Sequence, residues 1–321
     1  LYTPRDPEWD RWISLAEHDF HHLSAYHQLA QDFGEGDAFL VVYGTERRFL
    51  AWPYLKREIG GQYCDATSVY GYASPTGRSL EDPVFLARAW TALKAIWAEQ
   101  KLVSIFTRLH PVIDNHDAFR TLRGAMPVDG GEIVRLGGSV SIEIDRSVEE
   151  RRSQYSQSTR RHIRLAQRQG AVAQFDPDWT DFEDFFAIYL ATMQRNNAPA
   201  RYRFSREYFL ALQDALPKSL SLVFVRVDGV AIAAMLISVQ GEIAQMHLSG
   251  MNLSYQGCHP QKLLIDASCD FAKQAGATRL HLGSGRGGFE DSLFEFKTRF
   301  APAKHDFCLG RWVLDKDVYV A

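Results

Sequence analysis

The sequence predicts a mixed α+β fold arranged as two similar domains, and three observations carry that prediction. The first is length, since 321 residues accommodate two domains comfortably. The second is a repeated order of elements. Three strands in a row, then helix, strand, helix and strand, occur once in each half. The third is composition: 46% hydrophobic and 23% charged residues are ordinary values for a globular chain with a sizeable core.

The second half is the clearer one. Leu220 to Val227 is an apolar run of strand length, Asp228-Gly229 makes a hairpin turn, and Val230 to Val239 returns. A turn at Gln240-Gly-Glu242 leads to a third strand, Ile243 to Gly250. Pro260 suits the first position of a helix that runs to about Ala275 and closes at Gly276. A strand over Thr278–Leu282, a helix over Asp291–Arg299 and a strand over Phe307–Leu314 follow. Two helices, Asp178–Asn197 and Ser205–Leu216, precede the strands. In the first half, Phe39–Tyr43 and Arg47–Leu55 flank a turn at Gly44, and Cys64–Tyr72 is the third strand. Pro83 opens a helix to about Gln100. Strand Leu102–Leu109, a helical segment near Asp117–Arg123 and strand Ile133–Ile144 complete the set. The repeat is one of element order, not of residue identity. It gives domains at 1–145 and 146–321, each a mostly antiparallel mixed sheet flanked by helices.

A formal net charge of −3 gives no global basic field, so any phosphate or tRNA site must be a local patch. Cys64, Cys258, Cys269 and Cys308 are scattered, and no Cys or His pair has metal-ligand spacing, so no metal is expected. Reduced thiols, no signal-like start and no apolar run of spanning length together predict a cytoplasmic protein.

The most informative stretch is His281-Leu-Gly-Ser-Gly-Arg-Gly-Gly-Phe-Glu-Asp-Ser-Leu-Phe-Glu-Phe-Lys297, which reads as strand, glycine-rich turn and helix. Ser292-Leu-Phe-Glu295 is a capping-box pattern that would start the helix. Leu293, Phe296 and Phe300 fall at core-facing spacing, and Lys297 beside them is placed to hold a cation against a ligand. Read alone, it is equally a solvated helix lysine. Between Arg151 and Arg168 there are six arginines and no acid past Arg151. As a helix, Arg160, Arg161, Arg164 and Arg168 fall within about 100° of arc. That stripe suits phosphates, or is a solvated face whose reverse, Ile163 and Ala166, packs down. Asp65, Tyr70, Tyr72 and Ser74 offer stacking and hydrogen-bonding groups, or simply cover a core edge. Arg195, Arg201 and Tyr202 follow a helix end and can line a cleft or a solvated connection. His247 shares a strand face with Gln245 and Ser249. The loop Ser254–Lys262 has one glycine, and Pro260 removes a donor, so it makes a poor pyrophosphate cradle.

The element order is that of the GCN5-related N-acetyltransferase (GNAT) fold, in which the third strand and the strand after the main helix splay apart. Arg160-Arg-His-Ile-Arg-Leu-Ala, Phe185–Tyr189 with Met193 and Arg195, and Tyr202-Arg-Phe with Tyr208-Phe209 add family-like pieces. So do Met246-His-Leu-Ser-Gly250, Leu280-His-Leu-Gly-Ser-Gly285 and Asp291-Ser-Leu-Phe-Glu-Phe-Lys297. Together these segments resemble the FemABX family, tandem GNAT-like proteins that attach amino acids from aminoacyl-tRNA to peptidoglycan precursors. The FemA-type coiled-coil arm is not visible, so the likeness is nearer to the armless, FemX-like members. The resemblance implies an aminoacyltransferase with aminoacyl-tRNA as donor, an amine-bearing small molecule or peptidoglycan precursor as acceptor, and no tightly bound cofactor. Lys297 matches the family's Phe-Lys lysine, which stabilises charge on the leaving ribose or the oxyanion. Phe296 and His247 complete the expected catalytic group, Asp291 joins the substrate residues, and Asp65, Tyr70 and Tyr72 fall in the acceptor region. An acyl-CoA-dependent N-acyltransferase of cell-envelope polysaccharide or natural-product synthesis is the alternative. A non-catalytic binding protein that kept the fold is the third.

Overall fold

The computed structural model describes residues 1–125 and 131–320, apart from the side chains of residues 121–125 and 201. The chain divides into two compact units, Leu1–Gly138 with His305–Ala321, and Ser139–Lys304.

In the first unit two helices missed by the sequence reading, α1 (Glu8–Ser14) and α2 (Ser24–Asp32), precede the strands. β1 (Asp37–Thr45), β2 (Arg48–Gly60) and β3 (Tyr63–Thr67) form the expected antiparallel meander. A short β4 (Thr76–Arg78) adds to β2. β3 is shorter than its apolar run because the chain turns off at the Tyr70–Tyr72 segment. There Gly71 has φ 111°, and a Cβ would lie 2.1 Å from the His21 ring, so only glycine fits. Helix α3 (Pro83–Glu99) starts with proline in its first turn, and Asp82 accepts from the Val84 and Phe85 N–H groups. β5 (Leu102–Arg108) runs parallel to β3, and α4 (His116–Ala125) and β6 (Gly131–Glu143) follow. Trp52 anchors the core, with ring centroids 5.3, 6.0 and 5.2 Å from Trp97, Trp90 and Trp312. Each such pair adds about 0.5–1.5 kcal/mol beyond the area it buries.

The second unit opens with α5 (Val148–Ser153), α6 (Gln157–Arg168) and an edge strand β7 (Val172–Asp176). Helices α7 (Phe182–Arg195) and α8 (Arg206–Ala215) lead into the meander β8 (Leu220–Val227), β9 (Val230–Gln240) and β10 (Ile243–Met251). Then come α9 (Pro260–Gln274), β11 (Arg279–Gly283), which is parallel to β10, and α10 (Ser292–Thr298). Ile163 and Ala166 of α6 do pack down, into a core with Leu264, Ile265 and Cys269 of α9 and Ile232 and Met235 of β9. Burying a side chain of this size contributes roughly 1.5–3 kcal/mol.

The last strands depart from a simple repeat. β12 (Lys304–Val313) pairs antiparallel with β5, Leu309 opposite Arg108 through Val313 opposite Ser104. Its Cys308 and Trp312 lie in the first unit's core, and α11 (Lys316–Tyr319) follows. The end of β6, Ser139–Glu143, belongs instead to the second unit, where Val140 to Glu143 pair with β11. Alternation along the chain marks a strand and its buried face but not its partner.

Candidate active site

The strands splay as the fold requires. The ladder between β10 and β11 covers only Ile243 to Gln245 against Arg279 to His281, while β10 continues to Met251. The register of β10 on β9 slips between Met246 and Leu248. His247 is the residue that the ladder skips, so this is a β-bulge. The bulge corrects the expected face. Ser249 now opposes Met235 and lies on the other side of the sheet from Gln245, so His247 does not share one face with both. At the last paired position sits a buried polar link that the sequence reading missed. His281, with no exposed surface, donates from Nδ1 to Gln245 Oε1 at 3.4 Å, which leaves Nε2 to accept from the Ser139 hydroxyl.

Beyond β11 the chain turns at Gly283, Gly287 and Gly288, all with positive φ. Asp291, not Ser292, then caps α10, accepting from the Leu293 and Phe294 N–H groups at 3.0 and 3.1 Å. It also takes the Arg286 guanidinium at 2.9 Å. Burial works against its ionisation, but the hydrogen bonds from Phe294, Arg286 and Leu293 hold its carboxyl below the usual range. Asp291 is therefore a helix cap in this structure. Phe300 is fully buried, Phe296 is half-buried against it, and Phe294 takes a core position that the pattern had not marked.

Lys297 departs most from a surface lysine. It is 5% exposed, and among the described residues its Nζ has one hydrogen-bond acceptor, the Ser284 carbonyl at 2.7 Å. Burial pushes its pKa down to about 8, against a smaller upward pull from Asp291. The amine thus titrates near neutral pH, which suits a group that handles a proton.

A second group of basic side chains gathers where α9 begins. His259 enters the left-handed region at φ 52° and Pro260 starts the helix. The His259 ring stacks on His162 of α6 at 3.6 Å, and His162 Nδ1 lies 2.7 Å from Nζ of the buried Lys262. Burial first, then the charges of Lys262, His259, Arg161 and Arg299, push His162 down to about 4. His259 is lowered by burial, then by the charges of Lys262 and Arg161, and Lys262 by burial, then by the charges of Arg299 and Arg161. Lys262 and the neighbouring arginines therefore supply the positive charge that the glycine-poor loop lacks in free N–H groups. Of these five groups the sequence reading had singled out Arg161 alone. The histidines and Lys262 sit in family-like or loop segments whose convergence no local pattern announces.

The arginine stripe divides. Arg161, Arg164 and Arg168 are exposed, but Arg160 donates to the carbonyls of Arg152, Ser153 and Tyr155, closing the end of α5. Arg195 is exposed and reaches Thr192 and the Met251 carbonyl at 3.3 and 3.5 Å, against the end of β10. The Tyr202 carbonyl accepts from the Tyr189 hydroxyl at 2.6 Å. The side chain of Arg201 lies outside the described residues.

Asp65, Tyr70, Tyr72 and Ser74 all belong to the first unit. Asp65 is held in a bidentate pair by Arg57, its cross-strand neighbour, at 2.9 and 2.6 Å. The Tyr70 carbonyl accepts from the Tyr26 hydroxyl at 2.9 Å. Tyr72 sets its ring against His21, His110 and Phe307. Ser74 is fully buried, and its hydroxyl has no partner among the described residues. His116, Asp306 and Cys308 bring ligand-type atoms within 4.8 Å of one another, a grouping that spacing along the chain cannot reveal. Guanidinium groups already occupy it, with Arg120 3.3 Å from Cys308 Sγ and Arg135 2.6 Å from Asp306.

The frame of the site is thus a mixed sheet with a bulged third strand and a splayed fourth. Residues 153–297 match the model of the acetyltransferase (GNAT) domain. This part of the chain is a GNAT domain, and the chain as a whole has a tandem GNAT-like fold. The fold is similar to that of FemX, with a TM-score of 0.77 at 13% identity over 100% of this chain and 98% of the other. It is also similar to L-PGS from Bacillus licheniformis, with a TM-score of 0.60 at 16% identity over 100% and 96% of the two chains. A tandem GNAT protein from the clavulanic acid biosynthesis pathway gives 0.52 at 9% identity over 98% and 97%. No curated protein matches the sequence. Among the described residues no helix is long and apolar enough to cross a membrane.

Proposed function

We propose that this protein transfers an aminoacyl group from aminoacyl-tRNA to an acceptor amine, forming an amide bond. The observation that carries this reading is the basic run from Lys262 and Arg299 to the exposed Arg161, Arg164 and Arg168, with the stacked His162 and His259 rings beside Lys262. It extends along α6 well past the start of α9, which suits a phosphodiester chain better than one pyrophosphate. In the transfer, the acceptor nitrogen forms a bond to the ester carbonyl carbon while the bond to the ribose oxygen breaks. The ribose oxygen takes a proton from Lys297, and the nitrogen of the product returns one. Phe296 supports that lysine from the core, and His247 at the bulge borders the splayed gap. Arg195, Arg201, Tyr202 and the Tyr70–Ser74 segment are assigned to substrate binding within this reading. An amine-bearing small molecule or peptidoglycan precursor is the acceptor class, and the protein works in the cytoplasm. Acyl-CoA is the second reading, favoured by the cations at the start of α9, where a pyrophosphate would also be neutralised. Transfer of a labelled amino acid from charged tRNA, run beside labelled acetyl-CoA with the same amine acceptors, separates the two. Amide product from tRNA alone supports the first, and product from acetyl-CoA alone overturns it.

A further inference from the structure

Ser284 lies between β11 and α10 and has no role in the chemistry described above. It is 7% exposed, and its hydroxyl has no hydrogen-bond partner among the described residues. A buried hydroxyl without a partner lowers stability, and such a group is retained where a ligand completes it. Its setting is not slack. Gly283 before it has φ 79°. A Cβ on Gly285 after it would lie 2.1 Å from the Phe289 carbonyl oxygen and 2.2 Å from Asp291 Oδ1. Both neighbours are thus fixed as glycine, and the turn holds Ser284 in one place. The carbonyl of this same residue receives the Lys297 ammonium at 2.7 Å. The ammonium is therefore held by the same residue that carries the hydroxyl, past the point where β10 and β11 part.

We propose that the Ser284 hydroxyl is a second hydrogen-bond donor of the catalytic site, aimed at the carbonyl oxygen of the acyl donor while Lys297 serves the leaving oxygen. This rests on the acyl-transfer reading and deepens it. As the acceptor nitrogen bonds to the carbonyl carbon, the π electrons move to that oxygen, which then accepts from Ser284. When the tetrahedral species collapses, the C=O bond re-forms and the ribose oxygen leaves with the Lys297 proton, which the product nitrogen replaces. Two donors then divide two oxygens, and neither needs to move between steps.

Ser284→Ala tests this in two independent ways. The melting temperature should hold or rise, because the substitution removes an unpaired buried hydroxyl. Turnover with the donor that the wild type uses should fall on the order of 10²-fold with KM unchanged. Ser284→Cys, close in shape and a weaker donor, should be intermediate. A fall in melting temperature would mean that the hydroxyl is paired within the protein, and that overturns the inference. So does an unchanged kcat. Absence of transfer by the wild type from either charged tRNA or acetyl-CoA overturns the acyl-transfer reading itself, and this inference with it.

Discussion

Each unit buries a polar cluster, and the two clusters are built on opposite principles. In the first unit Asp19 Oδ2 lies 2.7 Å from His21 Nδ1 and 3.0 Å from His110 Nε2, while Oδ1 lies 2.9 Å from His22 Nδ1. All four side chains are sealed from solvent. Burial works against the Asp19 charge, yet His21 and His110 hold its carboxyl well below the usual range. His110 in turn accepts at Nδ1 from the Val112 and Ile113 N–H groups at 3.2 Å, which fixes its tautomer. In the second unit Lys297 is also buried, but its hydrogen bond is to the neutral Ser284 carbonyl, and the hydroxyl of that residue has no partner among the described residues. The contrast separates a buried carboxylate on which three rings converge from a buried ammonium held by one neutral carbonyl.

The comparison is easiest to break at Asp19. Asp19→Asn removes the charged acceptor on which three rings converge, and each buried group left unsatisfied costs about 1–3 kcal/mol. Urea unfolding should show that loss, and a change within experimental error would mean that the rings hold each other without the carboxylate. Next in size is Lys297→Met. Turnover should drop on the order of 10²-fold, as for loss of a group that stabilises developing charge. A partly exposed lysine would leave stability unchanged, whereas this one is buried with a lowered pKa. The unfolded chain holds that proton more tightly between about pH 8 and the ordinary lysine range, so the native ammonium is destabilising at neutral pH. The methionine variant should melt at the same temperature or higher. In the wild type, turnover should decline as pH rises through about 8, where the ammonium is lost.

Acid sharpens the same contrast from the other side. His27 is fully buried, and burial pushes it down to about 3. Its folded pKa lies below its unfolded one, so the unfolded state binds the extra proton once pH falls below about 6.5. Stability should therefore decline toward pH 3, by up to about 1.4 kcal/mol per pH unit for this one proton. His27→Leu should flatten the slope of stability against pH, and an unchanged slope would assign acid lability elsewhere. At the start of α9 the linkage runs through binding. A polyanion should raise the lowered pKa of His162, so binding takes up protons and tightens as pH falls from 7 toward 5. Calorimetry in buffers of different ionisation heat reads that uptake directly, and zero uptake would separate His162 from the anion site. The smallest effect belongs to Arg57 and Asp65, an exposed pair worth about 0.2–1 kcal/mol. Arg57→Gln should leave the melting temperature within a degree or two, and a larger loss would give that pair a structural weight which its exposure denies.

Much of this was legible in the sequence where the signal is local. Both meanders, Pro260 at the head of α9, and the glycine turn before Lys297 follow from alternation, proline geometry and glycine's tolerance of positive φ. What the sequence hid is convergence. His21 and His110 meet on one carboxylate although they are far apart in the chain, and Lys262 meets His162 in the same way. The bulge at His247 reverses the expected face of Ser249, because one inserted residue resets a period-2 pattern. At α10 two capping candidates stand side by side, and only backbone geometry decides for Asp291 over Ser292.

The exchange of final strands has a consequence for how the protein is made. The first unit draws on residues at both ends of the chain, since His305–Ala321 completes what Leu1–Gly138 begins. During synthesis the strand β5 emerges early and then waits, without β12, while the whole second unit is translated. Closing so long a loop is slow, and an open strand edge invites wrong pairing in the interval. A ribosome that stops just short of His305 would therefore release a chain whose defect lies in the unit made first, not in the one just finished.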